Sequence, residues 1–139
     1  MNDQNSKFIE QLNNLAKKAH VPYSHFRVVA YFENNDGSFF SGINIENVAY
    51  PNSMCAERVG LVSAINNNLS LNNLKIIHIY SPDSKDYLSP CGGCRQSLSE
   101  HINDNVEIRM YKNNGEYISK KFNELFPLSI KPENIKGEN

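Results

Sequence analysis

The run Leu74-Lys-Ile-Ile-His-Ile-Tyr80, closed by Ser81 and Pro82, constrains the fold of this chain more than any other stretch. It is short, almost wholly apolar and bounded by a proline, which predicts a strand in the interior of a sheet. An interior strand needs strands beside it and helices over it. The rest of the sequence offers both.

Phe8, Ile9, Leu12, Leu15, Ala16 and Ala19 recur at helical spacing, with Ser6 as an N-cap and Pro22 as the stop. The segment "RVVAYFENNDGSFFSGINIE" predicts two strands around an Asp36-Gly37 turn. From Cys55 to about Asn68 the pattern is helical. Val59, Leu61, Val62, Ala64 and Ile65 put apolar groups nearly all round that helix, which predicts burial. A second such helix is expected from Cys91 towards His101. Strands follow at "VEIRMY" and "YISKKF", separated by an "NNG" turn, and a short helix at "FNELF" ends before Pro127. The asparagine runs read as solvated loops, and the polar tail from Lys131 as loose. There is no internal repeat and no linker, so residues 1–139 are expected to form one domain. The order β-β-α-β-α-β predicts an α/β layered fold with a mixed sheet.

A formal charge of −1 gives no electrostatic reason to expect nucleic acid or an acidic membrane as partner. The opening "MNDQNSKF" lacks the apolar core of a signal peptide, and no apolar run has the length of a membrane span. The expected location is the cytoplasm, where cysteines remain thiols.

The chain has only three cysteines: Cys55, Cys91 and Cys94. Taken alone, Cys91-Gly-Gly-Cys94 reads as a redox pair, as ordinary buried thiols or as metal ligands. Zinc favours thiolates at this spacing, and three protein ligands leave one tetrahedral position open, as catalytic zinc sites do. Cys55 and the Cys91/Cys94 pair both fall where helices should start, and a helix N-terminus lowers a thiol pKa. Gly92 and Gly93 are expected to let the backbone turn tightly around a metal. Arg58 and Arg95 stand close enough in sequence to offset the excess negative charge of three thiolates through hydrogen bonds to sulfur. Glu57, two residues beyond Cys55, is placed to face a metal-bound water and shuttle protons. His78 reads either as a fourth ligand or as a core residue. His20, His25 and His101 read as surface or turn residues.

Cys-Ala-Glu followed by Pro-Cys-x-x-Cys resembles the signature of zinc-dependent nucleobase and nucleoside deaminases. The likeness extends through "PYSHF" at 22–26, "NIEN" at 44–47, "CAER" at 55–58, "SPCGGCRQ" at 89–96 and "ELFP" at 124–127. In this order the motifs resemble the small homotetrameric cytidine deaminases of pyrimidine salvage, over roughly residues 8–135. The resemblance implies a three-layer αβα sandwich around a mixed five-stranded sheet and one zinc ion per chain. It implies deamination of cytidine and 2′-deoxycytidine by a zinc-bound hydroxide, with Glu57 shuttling protons and holding ring N3. Phe26 would stack on the pyrimidine, and Asn44 and Glu46 would bind the ribose 3′-hydroxyl. The backbone N–H of Ala56 would hold the base carbonyl, and the carbonyl of Ser89 would orient the leaving ammonia. Tyr50 of a neighbouring subunit would approach the 5′-hydroxyl. Arg58 and Gln96 would hydrogen-bond the thiolates. Without the motifs, Phe26 reads as core, and Asn44 and Glu46 as the wet face of a strand.

Three positions depart from the family's usual residues: Val29 replaces glycine, Val59 replaces threonine, and Ile130 replaces an aromatic that covers a neighbour's base. Two other readings fit parts of the pattern. One is a deaminase of an aminoacyl-nucleoside antibiotic of the blasticidin S type. The other is a structural zinc module, which requires a fourth protein ligand and leaves Glu57 idle.

Overall fold

A computed structural model describes residues 3–137. Helix α1 spans Asp3–Ala16, followed by strands β1 (Val29–Asn34) and β2 (Phe39–Ile43). Helix α2 (Ala56–Asn66), strand β3 (Leu74–Tyr80) and helix α3 (Gly92–Ser99) come next, then β4 (Glu107–Tyr111), β5 (Tyr117–Lys121) and the short α4 (Phe122–Leu125). The strands form one five-stranded sheet in the order β2-β1-β3-β4-β5. Only the β3–β4 pair is parallel, so the sheet is mixed as expected.

The apolar run at 74–80 is the central strand, and six of its seven residues are buried. The Asp36-Gly37 turn joins β1 to β2, with Gly37 in the left-handed region at φ +86° that its missing Cβ permits. Alternation along β1 divides the core in two. Ala30 and Phe32 pack with Leu61 of α2 and Leu98 of α3, whereas Val29 and Tyr31 pack with Ile9 and Leu12 of α1. Helix α1 therefore covers one face and α2 and α3 the other, giving three layers. Val29 stands fully buried in the α1-side core, where its side chain fills space that a glycine would leave.

The seat of α2 is fixed by an unusually close approach. A Cβ on Gly42 of β2 would collide with Gly60 N and Ala56 O of α2, and one on Gly60 would collide with the Phe32 ring. Two glycines thus let the helix lie directly on the sheet, which sets the height of its first turn.

Several expectations need correction. Ser6 is not a cap, because α1 already runs from Asp3. The helix ends at Ala16, well before Pro22, because His20 is drawn into a bridge with Ile45. His20 N donates to Asn44 O (3.0 Å) and Glu46 N donates to His20 O (2.8 Å). Helix α2 is not wholly buried: Val62 and Ile65 are 52% and 48% exposed. The tail forms a 3-10 turn at Pro132–Asn134, and Lys131 Nζ lies 3.4 Å from Asp104 Oδ1. Among the described residues, no helix is long and apolar enough to cross a membrane.

Candidate active site

Strand register brings the motifs together. Val29 pairs with both Ile43 and Tyr80, since β1 is antiparallel to both of its neighbours. The residues just outside this row therefore meet at one end of the sheet: Val28 entering β1, Asn44 leaving β2 and Ser81 leaving β3. The chain beyond Asn44 leads to Cys55 and α2. The chain beyond Ser81 leads to Cys91 and α3. Both helices start at this end and aim their N-termini at the same place.

The three sulfurs converge there, all lying within 4.8 Å of one another. Cys55 Sγ and Cys91 Sγ are 3.9 Å apart, far beyond a disulfide bond and close to the roughly 3.8 Å between two sulfurs held at 2.3 Å on a tetrahedral zinc. Cys55 and Cys91 are the N-caps of α2 and α3, and Cys94 N donates to Cys91 Sγ at 3.4 Å. The Cys94 thiol donates to Cys55 and, with help from Cys91 and the Arg58 charge, holds Cys55 down at about 6 despite its burial. The same contact pushes Cys94 up. Three sulfurs this close compete for protons unless a cation takes their place, so the donor set suits a thiolate-bound zinc ion. His78 belongs elsewhere. It lies on the α1 side of the sheet, against Phe8 and Tyr31, with Nδ1 2.8 Å from Tyr111 Oη.

A cavity of about 150 Å³ opens beside the sulfurs. Val28, Asn44, Ala56, Glu57, Leu88 and Ser89 line it together with Cys55 and Cys91. Glu57 is only 4% exposed, and burial followed by the negative charge of Cys55 raises its carboxyl to about 7. A larger groove of about 710 Å³ adjoins this cavity, sharing Asn44 and Cys55 with it and running past Glu46 and Tyr50. Such a cavity takes one six-membered ring, and the groove offers polar groups to whatever the ring carries.

The model of the cytidine and deoxycytidylate deaminase zinc-binding region matches residues 2–110. The chain belongs to this family. It is 32% identical to a cytidine deaminase of Mycoplasma genitalium over 117 residues, covering 84% of this chain and 88% of that one. It is 30% identical to a cytidine deaminase of Sporosarcina psychrophila over 129 residues, covering 93% of each. The crystal structure of cytidine deaminase from Burkholderia pseudomallei superposes with a TM-score of 0.81 at 30% identity, covering 94% of this chain and all of that one.

For a chain of the cytidine and deoxycytidylate deaminase family, the other expected site residues fall into three groups. Asn44, Ala56, Glu57 and Ser89 line the small cavity, and Glu46, Tyr50 and Arg58 line the groove. Phe26, partly buried, lines neither. Tyr50 is 85% exposed. Arg95 turns away from the sulfurs, donating to Pro90 O (2.9 Å) and Leu125 O (2.7 Å), which corrects its expected role. The amide of Gln96 donates to Ser99 Oγ at 3.4 Å. Arg58 Nε is buried without a hydrogen-bond partner, next to the site.

Gly92 and Gly93 correct another expectation. Neither has the positive φ of a tight glycine turn, and a Cβ on Gly92 would meet nothing within 4 Å. They are simply the first residues of α3.

No local pattern indicates what the "NIEN" side chains hold. Asn44 Oδ1 accepts from Val28 N (2.9 Å) and Asn44 Nδ2 donates to Phe26 O (2.8 Å). Glu46 Oε1 accepts from Tyr23 N and Ser24 N, both at 3.1 Å. The "NIEN" motif thus organises the "PYSHF" motif. Each side chain keeps unused capacity for a ligand: a lone pair and an N–H on Asn44, and the second oxygen of Glu46. Val28 and Leu88, which reading the sequence did not single out, supply apolar walls.

Proposed function

We propose that this chain hydrolyses cytidine and 2′-deoxycytidine to uridine and 2′-deoxyuridine, releasing ammonia. The observation that carries this reading is the ring-sized cavity beside three convergent sulfurs, with Glu57 in its wall and the Asn44–Glu46 groove at its mouth. A base in the cavity leaves its sugar in the groove.

When bound by Cys55, Cys91 and Cys94, zinc supplies the Lewis acidity that makes water a nucleophile near neutral pH. Glu57 does the proton work. Its carboxylate takes a proton from the attacking water and delivers it to ring N3, which makes C4 electrophilic. A C4–O bond forms. Glu57 then takes the proton of the new C4 hydroxyl and gives it to the exocyclic amine, the C4–N bond breaks as the C4 carbonyl forms, and ammonia leaves. The N–H of Ala56, in the first turn of α2, has no intrahelical acceptor and donates to the base carbonyl. The Ser89 carbonyl accepts from the departing amine. Asn44 and Glu46 bind the 3′-hydroxyl, and Phe26, which lines neither hollow in the single chain, turns towards the ring to stack on it. Arg58 steadies the thiolates, and Gln96 joins it by releasing Ser99.

Residues 1–139 act as one domain in the cytoplasm, assembled as a homotetramer. Val48, Tyr50 and Leu128 are 83%, 85% and 104% exposed in the single chain, and this apolar surface supports a neighbouring subunit that brings Tyr50 to the 5′-hydroxyl. The test is to incubate zinc-loaded protein with cytidine and measure uridine and ammonia. Equimolar products are expected. A fully zinc-loaded protein without turnover would support a structural zinc module instead.

A further inference from the structure

The cavity has two walls that come from distant parts of the chain. Val28 belongs to the segment entering β1, and Leu88 and Ser89 belong to the loop between β3 and Cys91. One side-chain pair joins these segments. Arg27 Nε donates to Asp83 Oδ2 (3.0 Å) and Arg27 Nη2 to Asp83 Oδ1 (2.8 Å). The main-chain N–H of Arg27 donates to Asp83 Oδ2 as well (2.9 Å). This is the two-pronged geometry in which a guanidinium fixes direction as well as distance. The bond from Arg27 N also ties down the backbone one residue before Val28.

The other hydrogen bonds of both segments run to different neighbours, so among the described residues no other side-chain pair links the two segments. Asn44 secures the entering segment on its β2 side. Leu88 N donates to Tyr111 O (3.2 Å), which secures the loop at its far end, next to the cavity. Between Ser81 and Leu88 the loop is also held from the β4–β5 connection, where Asn113 N donates to Ser84 O (2.8 Å). Its remaining bonds are internal, Asp83 N to Ser81 Oγ at 3.0 Å and Ser84 Oγ to Asp86 O at 2.7 Å among them, and none of these reaches the segment entering β1.

We propose that Arg27 and Asp83 form a positioning clasp that sets the width of the ring-sized cavity. Neither residue lines the cavity; they act through Val28 on one wall and through Leu88 and Ser89 on the other. The proposal rests on the reading that this cavity holds the pyrimidine. The pair is partly solvated, with side chains 40% and 27% exposed, so its share of overall stability is small, whereas its share of alignment is not.

The test uses zinc-loaded full-length variants. Asp83→Ala removes all three bonds and should raise the KM for cytidine about tenfold while kcat changes less than about twofold. Arg27→Ala keeps the main-chain bond and should do less. The double variant should be no worse than Asp83→Ala, since the effects belong to one pair. Arg27→Lys should recover part of the loss. Hydrogen exchange supplies a readout free of substrate: the amides of Val28 and Leu88 should exchange faster in Asp83→Ala, with strand β4 unchanged. A lower thermal midpoint with unaltered KM would make the pair merely structural and overturn the proposal, as would unaltered exchange at both amides. If the wild-type chain does not turn over cytidine, the substrate reading fails, and the exchange data still decide whether the clasp holds the two walls.

Discussion

Cys55 Sγ and Cys91 Sγ lie 3.9 Å apart across 36 residues of sequence, held by the starts of two different helices. The site therefore depends on both helices at once. Replacing one sulfur should cost the metal rather than a fraction of its affinity. Cys91→Ala is expected to lose zinc and turnover together while the purified chain stays folded. Elemental analysis showing full zinc in that variant would remove Cys91 from the ligand set.

Glu57 sits in the cavity wall with 4% of its surface exposed. Glu57→Gln keeps the shape and the zinc ligands but cannot carry protons. Turnover should fall by about 10²–10⁴-fold, the usual contribution of a general acid–base group. Zinc content and thermal midpoint should match the wild type. Activity within tenfold of wild type would take Glu57 out of the mechanism.

Gly42 and Gly92 should respond oppositely to the same change. A methyl on Gly42 meets the backbone of α2, whereas one on Gly92 meets open space. Gly42→Ala is expected to destabilise the protein by roughly 1–3 kcal/mol or more, as overpacking does, and to weaken zinc binding by lifting Cys55. Gly92→Ala should leave both nearly unchanged. Denaturant midpoints with metal titration would check the pair, and equal effects would refute the close seating of α2.

His78 is 2% exposed, and burial, reinforced by the Arg109 charge, lowers its pKa from 6.5 to about 3. The unfolded chain therefore binds a proton between those values that the folded chain refuses. Stability conferred by the neutral ring is complete above about pH 6.5 and drains away as pH falls towards 3, by at most about 1.4 kcal/mol per pH unit. The negative charge of Glu107 opposes the shift. Carboxylates held low, such as Asp83 and Glu107, contribute in the same direction at lower pH. Urea unfolding between about pH 6.5 and 5 should show a slope in wild type that is flatter in His78→Gln. Identical slopes would mean the ring titrates normally in the fold.

Ile130 is 52% exposed in the single chain, at the position where the family resemblance implies an aromatic. If it faces a neighbour's cavity, Ile130→Phe adds ring stacking worth about 0.5–1.5 kcal/mol, or roughly 2- to 13-fold in affinity. The KM for cytidine should fall within that range. An unchanged KM with a lower thermal midpoint would place Ile130 outside the site.

The strands and the grouping of the three cysteines were legible because their signals are local. Alternation marks β4, a nearly unbroken apolar run marks β3, and three cysteines near helix starts mark a cluster that could hold a metal. What failed was whatever depended on direction or on partners far along the chain. Ser6 has the chemistry of a cap, but the helix had already begun. Arg95 is adjacent to a ligand in sequence, yet its guanidinium points at Pro90 O and Leu125 O. The hold of Asn44 on Phe26 and Val28 has no local signature, since an asparagine alternating with isoleucines also reads as an exposed strand face. The apolar ring round α2 predicted burial, but Val62 and Ile65 remain half open in the single chain.

The pairing of Val29 with Tyr80 has a kinetic consequence. Cys55 and Cys91 cannot meet until β1 has found β3 across a long stretch of chain, a contact that forms slowly because it is non-local. Zinc uptake during refolding should therefore lag behind helix formation and coincide with completion of the sheet. The ion then acts as a latch that binds only the finished fold and shifts the equilibrium towards it by mass action.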